Sequence, residues 1–136
     1  MSSQIRAIVL VLAGLLLSAS AGLHGFVAWP HLHGDLIRDH ASPGLIGALS
    51  LGWHFGSLAM LAFSLISLSA GVAVWQGRSV SAGPLWIVAA ACIAFGLGAF
   101  FLYGHSVHLL GFALMGALVA IGAVSRGAPS PGSPRP

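Results

Sequence analysis

The fold of this chain is decided by PGLIGALSLGWHFGSLAMLAFSLISLSAGVAVW, residues Pro43–Trp75, a stretch without a single charged side chain. A helix needs about 20 apolar residues to cross the hydrocarbon of a bilayer. This stretch is longer, so we expect one membrane-spanning helix that tilts or projects beyond the bilayer. Ser42 before Pro43 predicts a helix N-cap followed by proline in the first turn, where proline is tolerated.

Three further apolar stretches accompany it, which predicts four spans at about residues 7–29, 43–75, 84–103 and 105–124. Pro30 is expected to end the first span, because proline inside a helix removes a hydrogen bond and clashes with the preceding turn. The spans form one predicted domain, residues 1–126. The Gly-, Pro- and Ser-rich residues 127–136 are predicted to form a flexible tail.

Composition places the chain in the membrane class. Its residues are 57% hydrophobic and 5% charged, with a mean hydropathy of +0.98, whereas a soluble domain carries about 25% charged residues. We therefore predict an all-α, up-down four-helix transmembrane bundle that is embedded in a lipid bilayer. The five arginines are scattered along the chain, so no nucleic-acid partner is expected. The single cysteine, Cys92, excludes an intramolecular disulfide.

The arginines predict how the bundle is oriented. Arg6, Arg78, Arg126 and Arg135 fall in the amino-terminal segment, the second loop and the tail. Four spans bring these three segments to one side of the membrane, and the positive-inside rule makes that side the cytoplasm. Both termini are therefore predicted to be cytoplasmic, and the loop of residues 30–42 is predicted to lie outside.

The first apolar stretch has an alternative interpretation as a cleaved secretory signal. Arg6, the apolar run and Ala19-Ser20-Ala21 resemble a signal peptide with its cleavage site. The uncharged run continues to Trp29, however, and is long enough to cross a bilayer. We therefore predict that the first span is retained.

The seven histidines are concentrated towards the predicted outer side of the membrane. At a rise of about 1.5 Å per residue, His24 and His108 each lie about 27 Å above the arginine at the inner end of their span. His54 lies about 31 Å above Trp75 by the same measure. Since the hydrocarbon is about 30 Å thick, three spans carry a histidine at nearly one depth. His105 lies one turn above His108.

Residue spacing predicts which of these side chains point into the bundle. In the second span, small and polar residues recur at helical spacing, as they do where membrane helices pack together. The members of this predicted seam are Gly47, Ser50, His54, Ser57, Ser64, Ser67 and Gly71. His108 shares a helical face with Gly111 and Met115 in the last span. We expect His54 and His108 to face inward, with His24 only partly aligned with the small residues of its span.

Ionisable residues are costly inside a membrane and are candidates for function there. We therefore predict a cofactor-binding site formed by His24, His54 and His108, in which His105 is a fourth candidate metal ligand. Neutral imidazoles suit Zn, Cu or Fe, and two imidazoles on opposite faces of a macrocycle hold haem b. Such a site implies a role in redox chemistry, metal handling or sensing. Three loop histidines are placed to close it: His31, His33 and His40.

The alternative is that the histidines form only packing hydrogen bonds between helices. The chain is then a non-catalytic accessory subunit or assembly factor, and its Gly/Ser seams bind the helices of a membrane-protein partner. The sequence contains no His-Glu-x-x-His, P-loop or Gly-x-Ser-x-Gly motif, so no catalytic residue is assigned. Whether the protein is an enzyme stays open.

A resemblance rests on four features: His24 near the end of the first span, the Trp53-His54 pair, Ser57 after it, and the histidines of the last hairpin. In these the chain resembles a group of small, functionally unassigned bacterial four-span membrane proteins. The resemblance covers the four spans. It implies a multi-pass protein of the bacterial cytoplasmic membrane and names no substrate or cofactor.

Overall fold

A computed structural model describes residues 1–102 and 105–124. Helix α1 (Ser3–Gly22) runs into a π-helical segment (Leu23–Ala28) and then into α2 (Trp29–Arg38). Helix α3 covers Pro43–Trp75 and α4 covers Ala82–Leu102. A 3-10 turn (Val107–Leu109) leads into α5 (Leu110–Ala123). The predicted all-α four-helix bundle is confirmed; Tyr103 and the predicted tail lie outside the described residues.

The first span does not end at Pro30, contrary to the prediction. Ser3–Arg38 is one continuous helix of 36 residues, and Pro30 lies in the first turn of α2. The carbonyl that a proline ring disturbs belongs to the residue four positions earlier, here Phe26 in the π-helical segment. In the π-helical segment the backbone N–H of Trp29 bonds to the carbonyl oxygen of His24, five residues earlier, so the hydrogen-bond register widens directly before Pro30.

Three helices are long and apolar enough to cross a membrane: Ser3–Arg38, Pro43–Trp75 and Ala82–Leu102. The fourth apolar helix, Val107–Ala123, is shorter and begins after residue 105, where the sequence predicted its start. Its length is near the lower limit of about 17 residues for a spanning helix. The chain therefore has the helices of a membrane protein, with a short last span.

The bundle consists of two helical hairpins. Helix α1 packs mainly against α3, α4 packs mainly against α5, and contacts between α1 and α5 join the two pairs. Contact between α3 and α4 is sparse. The helices are therefore arranged in the order α3, α1, α5, α4, and the bundle is open along the line where α3 and α4 approach each other.

Small residues allow the helices of each hairpin to approach closely. A Cβ atom added to Gly71 of α3 would lie 3.1 Å from the carbonyl oxygen of Ala7 in α1. Between α4 and α5, a Cβ atom at Gly116 would lie 2.7 Å from the carbonyl oxygen of Ala89. Membrane helices lack a hydrophobic drive to associate within lipid, so such close backbone packing contributes much of their attraction.

Two polar contacts fix how α1 meets its neighbours. The hydroxyl of Ser64 is fully buried; it donates to the carbonyl oxygen of Gly14 at 2.8 Å and lies 2.7 Å from the hydroxyl of Ser18. At the same end as Trp75, the Nε of Arg6 donates to the carbonyl oxygen of Gly122 at 2.7 Å. This bond satisfies a carbonyl in the last turn of α5, where a cation also meets the negative end of the helix dipole.

Candidate functional site

The π-helical segment places His24 against the amino-terminal half of α3. The carbonyl oxygen of His24 accepts the backbone N–H of Trp29, which is the wide hydrogen bond of the segment. The same oxygen accepts the indole N–H of Trp53 from α3 at 2.7 Å. Single-turn π segments inside α-helices occur frequently at functional sites, and this one is joined to a second helix by a tryptophan.

The side chain of His24 is held between aromatic and small residues of α3. Its imidazole stacks on the indole of Trp53, with ring centroids 4.1 Å apart and planes inclined by 3°. A Cβ atom added to Gly56 would lie 3.6 Å from Nε2 of His24, and one added to Gly25 would lie 3.3 Å from the hydroxyl of Ser57. The distance from Gly56 is an ordinary van der Waals contact, whereas the one from Gly25 is tight, so the two helices approach closely where Gly25 faces Ser57.

His54 lies at the same level of the hairpin, on the surface of α3. Its Nδ1 lies 2.7 Å from the carbonyl oxygen of Ser50 in the same helix. Because a carbonyl oxygen can only accept, Nδ1 carries the hydrogen, and in the neutral ring Nε2 keeps its lone pair. The prediction that His54 faces inward is wrong, since the residue is exposed.

Helical register explains why Trp53, rather than His54, lies on the seam. Five of the seven buried residues of α3 follow alternating steps of four and three: Met60, Ser64, Ser67, Gly71 and Val74. Continued towards the amino terminus of α3, these heptad steps pass through Ser57 and Trp53. His54 then falls one position beside the seam. The step from Ser57 to Ser64 skips Met60, and including Met60 in the pattern would have revealed Trp53.

Trp29 completes a cluster that the sequence pattern did not reveal. Its ring centroid lies 6.0 Å from that of Trp53, 5.6 Å from that of His54 and 5.6 Å from that of His33. The contact with His54 is edge-on, at an interplanar angle of 69°. We call these residues the histidine–tryptophan cluster: His24, Trp29, His33, Trp53 and His54.

The structure does not bring His105 or His108 into this cluster. His105 lies against two rings of α4, with centroids 5.1 Å from Phe100 and 6.1 Å from Phe101. His108 is exposed in the 3-10 turn, which packs principally on α4 and α5. The depth prediction places His108 near the level of His24, and the 3.9 Å contact between Ser20 and Met115 lower in the bundle agrees with it. The separation is lateral, because the two residues belong to different hairpins.

The predicted outer loop is mostly helix, which separates its three histidines. His31 and His33 lie on α2, and only His33 contacts the cluster, through Trp29. His40 lies in the turn after α2 with a φ of 56°. Arg38 forms an exposed ion pair with Asp35 on the same helix. The prediction was that His105 or the loop histidines close the site; of these residues, His33 is the one that the structure places against Trp29.

Within residues 1–102 and 105–124, no group of three or more His, Cys, Asp or Glu side chains has the spacing of a metal site. In the described chain, His24 contacts Trp53, His54 contacts Trp29, and the two indoles contact each other, so the two histidines are connected through the tryptophans. No protein-family model, curated protein or solved structure matches this chain.

Proposed function

We propose that this chain is an integral membrane protein that binds a transition-metal ion through the histidine–tryptophan cluster, with His54 as the principal ligand and His24 as the second. The observation that carries the proposal is the bond from Nδ1 of His54 to the carbonyl oxygen of Ser50. Metal-binding histidines characteristically donate their other ring hydrogen to a carbonyl or carboxylate, which fixes the tautomer and orients the ligand nitrogen.

The donor set indicates which ions would bind. Two neutral imidazoles suit Zn, Cu or Fe, and they leave coordination positions for water or an exchanging ligand. Such an open site is typical of metal handling, sensing or catalysis more than of a closed structural site. Haem b needs the same two imidazoles, but Trp29 contacts both His54 and Trp53. A macrocycle would have to displace that indole, so a metal ion is the form of the proposal that we favour.

We further infer that the cluster lies near the outer face of a bacterial cytoplasmic membrane. Arg6 and Arg78 lie at the opposite end of the α1–α3 hairpin, whereas both acidic side chains, Asp35 and Asp39, lie beyond the cluster together with Arg38. The positive-inside rule assigns the end with the two unaccompanied arginines to the cytoplasm. Ions arriving from outside would then reach the cluster without crossing the bilayer.

Metal analysis of the purified protein tests the proposal. The parent protein, loaded with Cu or Zn and passed through a desalting column, is expected to retain about one ion per chain by elemental analysis. His54→Ala is expected to lose the ion, because the small side chain removes the oriented nitrogen without disturbing the buried seam. His40→Ala, in the distant turn, serves as the matched control. Retention of the ion in His54→Ala, or no ion in the parent protein, would contradict the proposal.

A second function is favoured by the opening between α3 and α4. Exposed aromatic and aliphatic side chains line the upper half of the first hairpin, where Phe26 is 86% and Phe55 is 72% exposed. We propose, as the alternative, that a helix of a membrane-protein partner packs there and that the chain is an accessory subunit or assembly factor. A photo-crosslinking residue at Phe55 is expected to capture one defined protein, whereas the same residue at Ile87 of α4 is not. Identical labelling at both positions would indicate contact with lipid only.

A further inference from the structure

An apolar groove lies between α1 and α3 at the end opposite the histidine–tryptophan cluster. Its volume is about 340 Å³, which is within the range of about 300–1,000 Å³ typical of ligand sites. It is lined by Ile8, Val11 and Leu12 from α1, and by Val72, Trp75 and the C-cap residue Gln76 from α3. In both helices these residues follow i, i+3, i+4 spacing, so each wall is a single helical face.

The two helices are in close contact directly beside the groove. Gly71 precedes Val72, and a Cβ atom at Gly71 would lie 2.8 Å from Cγ2 of Val11. The backbones therefore approach at Gly71, while the larger side chains on either side diverge and remain exposed. Ile8 is 47%, Leu12 51% and Trp75 65% exposed. Lipid reaches this face directly, since α5 packs elsewhere on α1, where Gly122 meets Leu10.

The α3 side of the groove ends at Gln76, and Arg78 follows two residues later in the chain. Gln76 ends α3, Gly77 adopts a φ of 74°, and the backbone N–H of Arg78 returns to the carbonyl oxygen of Ala73 at 2.9 Å. This helix C-cap holds Arg78 within one turn of Trp75 and Gln76. Of the two arginines that the structure describes at this end, Arg6 donates its Nε to the carbonyl oxygen of Gly122, and Arg78 lies two residues after the groove residue Gln76.

From these features we infer that the groove binds one acyl chain of an anionic glycerophospholipid, whose phosphate is held at Arg78 and Gln76. The apolar walls fit a hydrocarbon chain, and an indole beside a polar mouth is typical of the bilayer interface. Charge complementarity selects the headgroup, because the only two acidic side chains of the sequence, Asp35 and Asp39, lie at the far end of the hairpin. The inference does not depend on the metal site.

Native mass spectrometry of the full chain tests this lipid site. The protein in detergent micelles is mixed with equal amounts of phosphatidylglycerol and phosphatidylcholine that carry identical acyl chains. We expect about five-fold more phosphatidylglycerol adduct, which is the effect of one cation on an anionic headgroup near the membrane surface. Arg78→Gln is expected to bring the ratio close to one. Leu12→Trp, which fills the groove, is expected to reduce adducts of both lipids.

Two matched variants control for charge and size. Arg38→Gln removes the same charge at the opposite end, and Ile87→Trp places the same bulk on an exposed face of α4, where Ile87 is 70% exposed. Both are expected to behave like the parent protein. Equal binding of the two lipids by the parent protein overturns the inference. An unchanged ratio in Arg78→Gln overturns the headgroup assignment, and unchanged adducts in Leu12→Trp overturn the groove assignment.

Discussion

Trp53 contacts His24 in two ways at once: its indole lies parallel to the imidazole, with centroids 4.1 Å apart, and donates its N–H to the backbone carbonyl of the same residue at 2.7 Å. The stack fixes the side chain of His24, and the hydrogen bond fixes its backbone. Together they lock the π-helical segment against α3. The position of His24 therefore depends on a tryptophan of a different helix.

The first prediction separates these two contacts. Trp53→Phe keeps an aromatic ring for the stack and loses the indole N–H, which should destabilise the folded protein by about 1 kcal/mol. Trp53→Leu loses both contacts and should destabilise it further. The free energy of unfolding in mixed micelles with increasing denaturing detergent measures both effects. Trp86→Phe on the exposed face of α4 is the control and should leave stability unchanged. Equal stability of Trp53→Phe and the parent protein would show that the indole hydrogen bond contributes nothing.

The second prediction concerns two buried serines of α3. Ser64 bonds across the interface to Gly14 and Ser18, whereas Ser67 bonds to Phe63 in its own helix at 3.0 Å. Ser64→Ala should therefore destabilise the α1–α3 hairpin by about 1 kcal/mol, which is the scale of interhelical hydrogen bonds in membranes. Ser67→Ala should have a smaller effect, because its loss leaves no group of α1 without a partner. The same unfolding assay compares them, and an equal loss in both variants would contradict the role assigned to Ser64.

Sequence spacing predicted the level of His24 and His54 along their helices better than the direction in which their side chains point. A constant rise per residue is enough to set His24 and His54 at one level, and the approach of Gly25 to Ser57 agrees with it. Direction requires the seam to be followed without error, because one residue turns a side chain by about 100°. The predicted seam omitted Met60, and for that reason His54 was predicted to lie in the interior and not on the surface. The lateral distance between His108 and His24 could not be predicted, because residue spacing within one helix does not show which helices pack against each other.

The end of the first helix was predicted wrongly for a different reason. Pro30 is a sound signal for a helix end where hydrogen bonds follow the i to i+4 pattern. The π-helical segment before it has a wider pattern, and the carbonyl of His24 in that segment also accepts the indole N–H of Trp53 from α3. That contact joins residues of two helices, so spacing within the first helix does not reveal it. The caps of α3, by contrast, are local, and Ser42 accepts from the N–H of Leu45 as its sequence predicts.

The third prediction is the orientation of the bundle. A reporter fused after Pro136 should be active in the cytoplasm, and a reporter inserted in the turn between Asp39 and His40 should be active outside it. The turn is the suitable site because Gly34, nearby in sequence, lies within α2 and an insertion there would interrupt the helix. Cytoplasmic activity at the turn would reverse the orientation and place the histidine–tryptophan cluster at the inner face.

The fourth prediction compares two glycines of α4 that are two residues apart and therefore lie on nearly opposite faces of the helix. A Cβ atom at Gly96 would lie 2.5 Å from the backbone nitrogen of Ala113 and 3.0 Å from the carbonyl oxygen of Leu109, whereas at Gly98 it would meet nothing within 4 Å. Gly96→Ala must push α5 away from α4, because backbone atoms cannot rotate aside as a side chain can. We expect a loss of about 2 kcal/mol in unfolding free energy, within the range for overpacked cores. Gly98→Ala should be neutral or slightly stabilising, since alanine is the better helix former. The pair tests the second hairpin alone: if Gly96→Ala is as stable as Gly98→Ala, then α4 and α5 are not packed as closely as the glycine contacts require.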